Sequence, residues 1–135
     1  MKLFVFKLKD EFIGIESDYV YRIIDDLKVT PIPLTPESYT GLLYHRGELF
    51  DVIDMRLLLG YPAAEGSAET TRIIIIKWLD KKLAVIPDEI VGMIWIDDNF
   101  ENKNEYYHEE RKIRLMKPNY IWNKLSELSY GPNKI

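Results

Sequence analysis

The sequence predicts a mainly β protein, built from short strands in two similar lobes, with short helices and a helix near the C-terminal end. Three observations predict it. Short runs of β-branched and aromatic residues alternate with polar turn clusters along most of the 135 residues. One run, Ile73-Ile74-Ile75-Ile76, is apolar at every position, which suits a strand buried on both faces. And Ile15–Ile24 lines up with Val85–Ile94, each reading as strand, bend with an Asp, strand.

The elements follow in order. Leu3–Leu8 is a strand of β-formers, Lys9-Asp10-Glu11 a polar turn, and Phe12–Ile15 the returning strand. Ser17-Asp18 caps a single helical turn or bends the chain, and Val20–Ile24 resumes an extended pattern. Thr30–Pro36 holds three prolines, which fix φ and restrict their neighbours, so it reads as an extended connector lying against the domain. Tyr39–Arg46, a tight turn at Gly47-Glu48, and Leu49–Ile53 form a hairpin. Asp54 caps a short helix, Met55–Leu59, which Gly60 ends. Tyr61–Thr70, rich in Ala, Glu, Gly and Ser, reads as a mobile loop. Thr71–Leu79, a turn at Asp80-Lys81-Lys82 and Leu83–Ile86 form the next hairpin, and Val91–Ile96 the next strand. Asp97–Glu110 carries six acids against one lysine, and Arg111, Lys112, Arg114 and Lys117 follow at once. A strand-turn-strand around Tyr106–Met116 would set these opposite charges side by side. Asn119–Leu128 places Tyr120, Ile121, Leu125 and Leu128 at helical spacing.

Composition narrows the function. With 47% hydrophobic residues the chain can bury a core, and its length suits one domain, taken as 1–135 with intertwined lobes, the second over about 71–110. A net charge of −4 lacks the cationic footprint of a general nucleic-acid binder or a polybasic membrane anchor. Without cysteine there are no disulfides, thiolate metal sites or Cys nucleophiles. Met1–Leu8 is short, alternating and interrupted by Lys7, so no signal peptide is read there, and a cytoplasmic location is expected. His45 and His108 stand apart without zinc-ligand neighbours; no phosphate-cradling glycine loop and no nucleophile elbow is present. The acid pairs Asp25-Asp26 and Asp97-Asp98 read as solvated loop residues, and the acidic run lacks the ordered spacing of a calcium loop. No metal, cofactor or catalytic residue is expected, and the residues lean toward a binding module.

The segment Pro33–Gly60 then closely resembles the signature of CheW-type chemotaxis adaptor domains: Gly41, Arg46-Gly47 at a hairpin turn, Val52-Ile53-Asp54, Arg56, Leu59 and Gly60 match in order and spacing. The likeness extends to Leu3–Ile24 and Thr71–Met93, with Asp88 at the family's Val-Asp position. The resemblance implies two packed, SH3-like five-stranded β-barrel lobes. It also implies a non-enzymatic adaptor that couples the cytoplasmic helical hairpin of a chemoreceptor to the regulatory domain of a histidine kinase. The receptor tip would lie in a groove lined by Val20, Ile24, Gly41, Tyr44 and Arg46. The kinase would meet the second lobe at Ile74, Ile76, Ala84 and Asp88. His45 and Asp51 stand where the family usually has Leu and Pro, Ala84 and Pro87 replace a Gly and a Val, and Arg22 replaces an acid. These departures motivate an alternative, a diverged paralogue of another motility pathway that binds one partner only. A small hydrolase using the acidic hairpin is the rival from a different class.

Overall fold

The computed structural model describes residues 1–25, 29–31, 38–61, 72–96 and 104–130. Most of the proline connector, nearly all of the loop expected at 61–70 and the first half of the acidic run therefore lie outside the described residues. The first hairpin is β1 (Lys2–Leu8) with β2 (Glu11–Glu16), and a single 3₁₀ turn at Ser17–Tyr19 leads to β3 (Val20–Asp25). Next come β4 (Tyr39–His45), β5 (Glu48–Asp54) and α1 (Met55–Leu58). The hairpin of β6 (Arg72–Trp78) and β7 (Lys81–Ile86) precedes β8 (Glu89–Trp95). The hairpin of β9 (Glu105–His108) and β10 (Arg111–Leu115) precedes α2 (Pro118–Tyr130).

The ten strands form two mixed five-stranded sheets, ordered β8-β1-β2-β10-β9 and β3-β6-β7-β5-β4. In both, one pair is parallel, β2 with β10 and β7 with β5. Each sheet takes its hairpin β1–β2 or β6–β7 from one half of the chain and its other three strands from the other half. Residues 71–110, the stretch expected to carry the second lobe, are thus divided between both sheets.

The internal repeat organises this exchange. Setting Lys2 on Arg72 sets β1 on β6, β2 on β7 and Val20 on Ile90, and the burial patterns of the first two pairs are identical. The ladders shift register at Tyr21 in β3 and at the matching Val91 in β8, so even the bulges correspond. A separate alignment sets the hairpin β4–β5 on β9–β10, with His45 on His108 and Glu48 on Arg111, each pair closing its own hairpin.

Side-chain alternation sorts the core into three clusters. Phe4, Phe6 and Leu8 of β1 meet Ile74, Ile76 and Trp78 of β6 in a central cluster between the sheets. The intervening Leu3 and Val5 fill the interior behind the first sheet with Ile113. Ile73 and Ile75 do the same behind the second with Leu43, Phe50, Val52 and Ala84. This is why the Ile73–Ile76 run is apolar throughout: all four side chains are completely buried. Each such side chain stabilises the fold by roughly 1.5–3 kcal/mol. Helix α2 begins on Pro118, whose missing N–H costs nothing at a first helical position. It lays Ile121 and Leu125, one turn apart, on the central cluster. Trp122 meets Trp78 edge-on at 5.9 Å, and Trp78 Nε1 donates to Asn119 Oδ1 at 2.8 Å.

Candidate docking surfaces

The hairpin signature does structural work at most of its positions. Val52 and Ile53 point into different cores. Asp54 accepts hydrogen bonds from the Arg56 and Leu57 amides and so caps α1, a service the bare first turn of a helix requires. Arg56 reaches across to Asp88, with Nε 2.7 Å from both carboxylate oxygens and the guanidinium 2.6 Å from Oδ2. Asp88 also accepts from the Lys9 amide at 2.5 Å, and its own amide donates to the Lys7 carbonyl at 3.0 Å. Burial alone would push the Asp88 carboxyl up, but the hydrogen bonds from Arg56 and the Lys9 amide and the Arg56 charge outweigh it, and the group is held below its ordinary range. Asp88 therefore ties the turn of the first sheet's hairpin to the helix that follows the second sheet.

The five positions expected to line a receptor groove divide by role. Val20 and Ile24 are half-buried on β3; Val20 packs on the central cluster and Ile24 on the core of the second sheet, the bulge at Tyr21 having shifted the face between them. Gly41 is buried on β4 with φ of 151°, and a Cβ there would overlap the Thr30 carbonyl. That contact belongs to a two-way bridge between Thr30 and Leu42, at 2.8 and 2.9 Å, which carries the chain leaving β3 onto β4. Tyr44, 68% exposed, and Arg46, in the turn, present their side chains to solvent. Arg46 adopts φ of 50° and Gly47 of 83°, the pair of left-handed residues that a two-residue type I′ hairpin needs.

The kinase-facing positions are corrected in part. Ile74 and Ile76 are 0% exposed because the even positions of β6 face the other sheet. Ala84 is 0% exposed because it packs behind the second sheet. No side chain of these three reaches the surface, whereas Asp88 does. The sequence departures also find places. Asp51, where the resemblance led one to expect proline, accepts a hydrogen bond from Tyr39 Oη at 2.5 Å. Burial, then that hydrogen bond and the Asp51 charge, hold the Tyr39 phenol far above its ordinary range. In the acidic hairpin, Glu105 pairs with Lys112 at 2.9 Å, and Glu109 and Glu110 form the turn. Among the described residues no group of three His, Asp or Glu is placed to hold a metal, and no helix is long and apolar enough to cross a membrane.

Sequence reasoning missed the apolar side chains that the sheets leave outside. Tyr21 and Ile23 lie on β3, and Val91, Met93 and Trp95 on β8, all exposed. Both strands are sheet edges. On the opposite edges Tyr44 of β4, already expected at the receptor groove, and Tyr107 of β9, which was not, are exposed by 68% and 66% and occupy matching positions. The repeated Tyr-His pair, Tyr44-His45 and Tyr107-His108, was the available signal in the sequence.

Two repeat-related mixed sheets, joined through one core and carrying apolar side chains on their edges, define the class of β domain. The chain belongs to the CheW-like domain family, whose model matches residues 2–117. It is 21% identical over 94 residues to the Chemotaxis protein CheW of Thermotoga maritima, a match covering 70% of this chain and 61% of that protein. It is 27% identical over 92 residues to Protein FrzA of Myxococcus xanthus, covering 68% of this chain and 57% of that one. The matches thus span less than two thirds of either relative. The crystal structure of scaffolding protein TtCheW from Thermoanaerobacter tengcongensis is similar with a TM-score of 0.77 and 26% identity, over 89% of this chain and 90% of that chain. The domain is accordingly a CheW-like domain.

Proposed function

We propose that this domain is a cytoplasmic chemotaxis adaptor that couples the helical tip of a chemoreceptor to the regulatory domain of a histidine kinase. The observation that carries the reading is the placement of exposed apolar side chains on the edge strands of both sheets, so that one domain offers separate faces to separate partners. Membership of the CheW-like family and the likeness to a scaffolding protein of that name support it. The receptor face is taken as Val20, Ile24, Gly41, Tyr44 and Arg46, with Tyr44 and Arg46 making contact and the other three shaping the surface. The kinase face is taken around Asp88, the one expected kinase position whose side chain reaches the surface. In an ordered array, weak contacts on two faces are strengthened by high effective concentration.

Titration calorimetry against the kinase regulatory domain, and separately against a receptor-tip hairpin, tests this. Tyr44→Ala combined with Arg46→Glu weakens the receptor titration about tenfold, or ~1.4 kcal/mol, and leaves the kinase titration unchanged. Asp88→Lys does the reverse, in a protein shown by circular dichroism to be folded. Binding to one partner alone selects the one-partner paralogue, which Arg22 on β3 would favour as a reversed charge. Binding to neither overturns the proposal.

A further inference from the structure

The two lobes carry the same constellation with different chemistry. At the end of the second sheet, Glu48 sits between two lysines, 2.7 Å from Lys77 Nζ and 3.2 Å from Lys82 Nζ. Hydrogen bonds from these lysines lead the causes that hold the Glu48 carboxyl below its ordinary range. The internal repeat maps Lys77 onto Lys7, Lys82 onto Phe12 and Glu48 onto Arg111. In the first sheet the place of the carboxylate is therefore taken by a guanidinium, and the place of one lysine by an aromatic ring. Lys7 Nζ lies 5.4 Å and the Arg111 guanidinium 5.2 Å from the Phe12 ring centroid, so one ring gathers two cations.

Among the described residues, no carboxylate forms an ion pair with either cation. Glu89 lies opposite Lys7 across the β1–β8 ladder, Glu109 and Glu110 precede Arg111 in the turn, and Asp10 and Glu11 are near in sequence. Among the described residues, none of these carboxylates comes within 4.0 Å of Lys7 or Arg111. An anion that meets both offsets two positive charges that have no carboxylate partner among the described residues.

We propose that the Lys7–Phe12–Arg111 end of the first sheet receives a carboxylate side chain from an acidic segment of a partner protein. The bound carboxylate completes from outside the ion cluster that Glu48 completes from inside in the second sheet. Phe12 supplies the apolar floor, and the Arg111 fork supplies two parallel donors that a carboxylate matches and a single lysine would not. The site stands on the internal comparison and is independent of the adaptor assignment above.

The test uses the whole protein, labelled with ¹⁵N, and a blocked tetraglutamate peptide as the probe, with blocked tetraglutamine as the control. The expected result is a saturable shift of the Phe12 and Arg111 amide signals with tetraglutamate and none with tetraglutamine. Affinity falls about tenfold in Lys7→Gln. It is lost in Arg111→Glu, which supplies the missing carboxylate from within, while the thermal midpoint of that variant stays within about 3 °C of the parent, as suits an exposed position. No shift with tetraglutamate, or a shift that survives Arg111→Glu, overturns the proposal. Inorganic phosphate producing the same shifts at lower concentration also overturns it, because the site is then one for small anions.

Discussion

Asp88 engages one guanidinium and one amide through its carboxylate and one carbonyl through its own N–H, and these three groups come from helix α1, the β1–β2 turn and strand β1. Its folded pKa lies below the ordinary value of 3.8, so its contribution is fully present above that value and is lost as the pH falls through the lowered folded one. Asp88→Asn is expected to cost about 1–2 kcal/mol at pH 7. The difference from the parent protein should close as the pH is taken below 3.8, read from urea midpoints at each pH. Gly41 works by absence of a side chain. Its φ of 151° and the Thr30 carbonyl beside it leave no room for a Cβ, so Gly41→Ala should cost about 2–4 kcal/mol in urea unfolding. Gly41 stood in the family signature and Asp88 in the likeness that extends beyond it, so the sequence marked both. It could not say that one ties the first hairpin to helix α1 and the other admits the chain at Thr30, because those neighbours are remote in the chain.

At the scale of the element, the turns differ more than the strands they join. Arg46-Gly47 places a glycine at one of its two left-handed positions, whereas Glu109-Glu110 takes φ of 50° and 65° with two side chains present. A residue with a Cβ adopts that conformation at a cost of about 1–2 kcal/mol. Glu110→Gly should therefore raise stability by about 1 kcal/mol, seen as a higher urea midpoint with an unchanged slope. Leu79 is a parallel case, left-handed at φ of 53° and 89% exposed, and Leu79→Asn should be stabilising by a similar sign and smaller amount. The strands themselves were legible. Period-two runs, turn clusters and the Ile73–Ile76 block placed them to within a residue or two, because alternation and turn chemistry are local properties. Which faces of β3 and β8 stay in solvent was not legible, since Tyr21, Ile23, Val91, Met93 and Trp95 look like core residues until the sheet order makes their strands edges.

The whole molecule is governed by the exchange of hairpins between halves of the chain. The alignment of Ile15–Ile24 with Val85–Ile94 announced a duplication, and intertwined lobes were expected, but a one-dimensional repeat does not say which sheet each copy of a strand joins. The exchange has a thermodynamic consequence. Phe4, Phe6 and Leu8 of the first sheet and Ile74, Ile76 and Trp78 of the second share one central cluster, and each sheet needs strands from both halves of the chain. Neither sheet can then unfold while the other keeps its core. Ile76→Ala removes a completely buried side chain at that shared seam and is expected to cost about 2–5 kcal/mol. The loss should appear as one transition: the fluorescence of Trp78 and Trp122, which report the central cluster, and the far-ultraviolet dichroism of both sheets should shift to the same lower midpoint. A dichroism transition that splits in two, with half the signal keeping the parent midpoint, would show that the sheets are independent and that the shared core does not couple them.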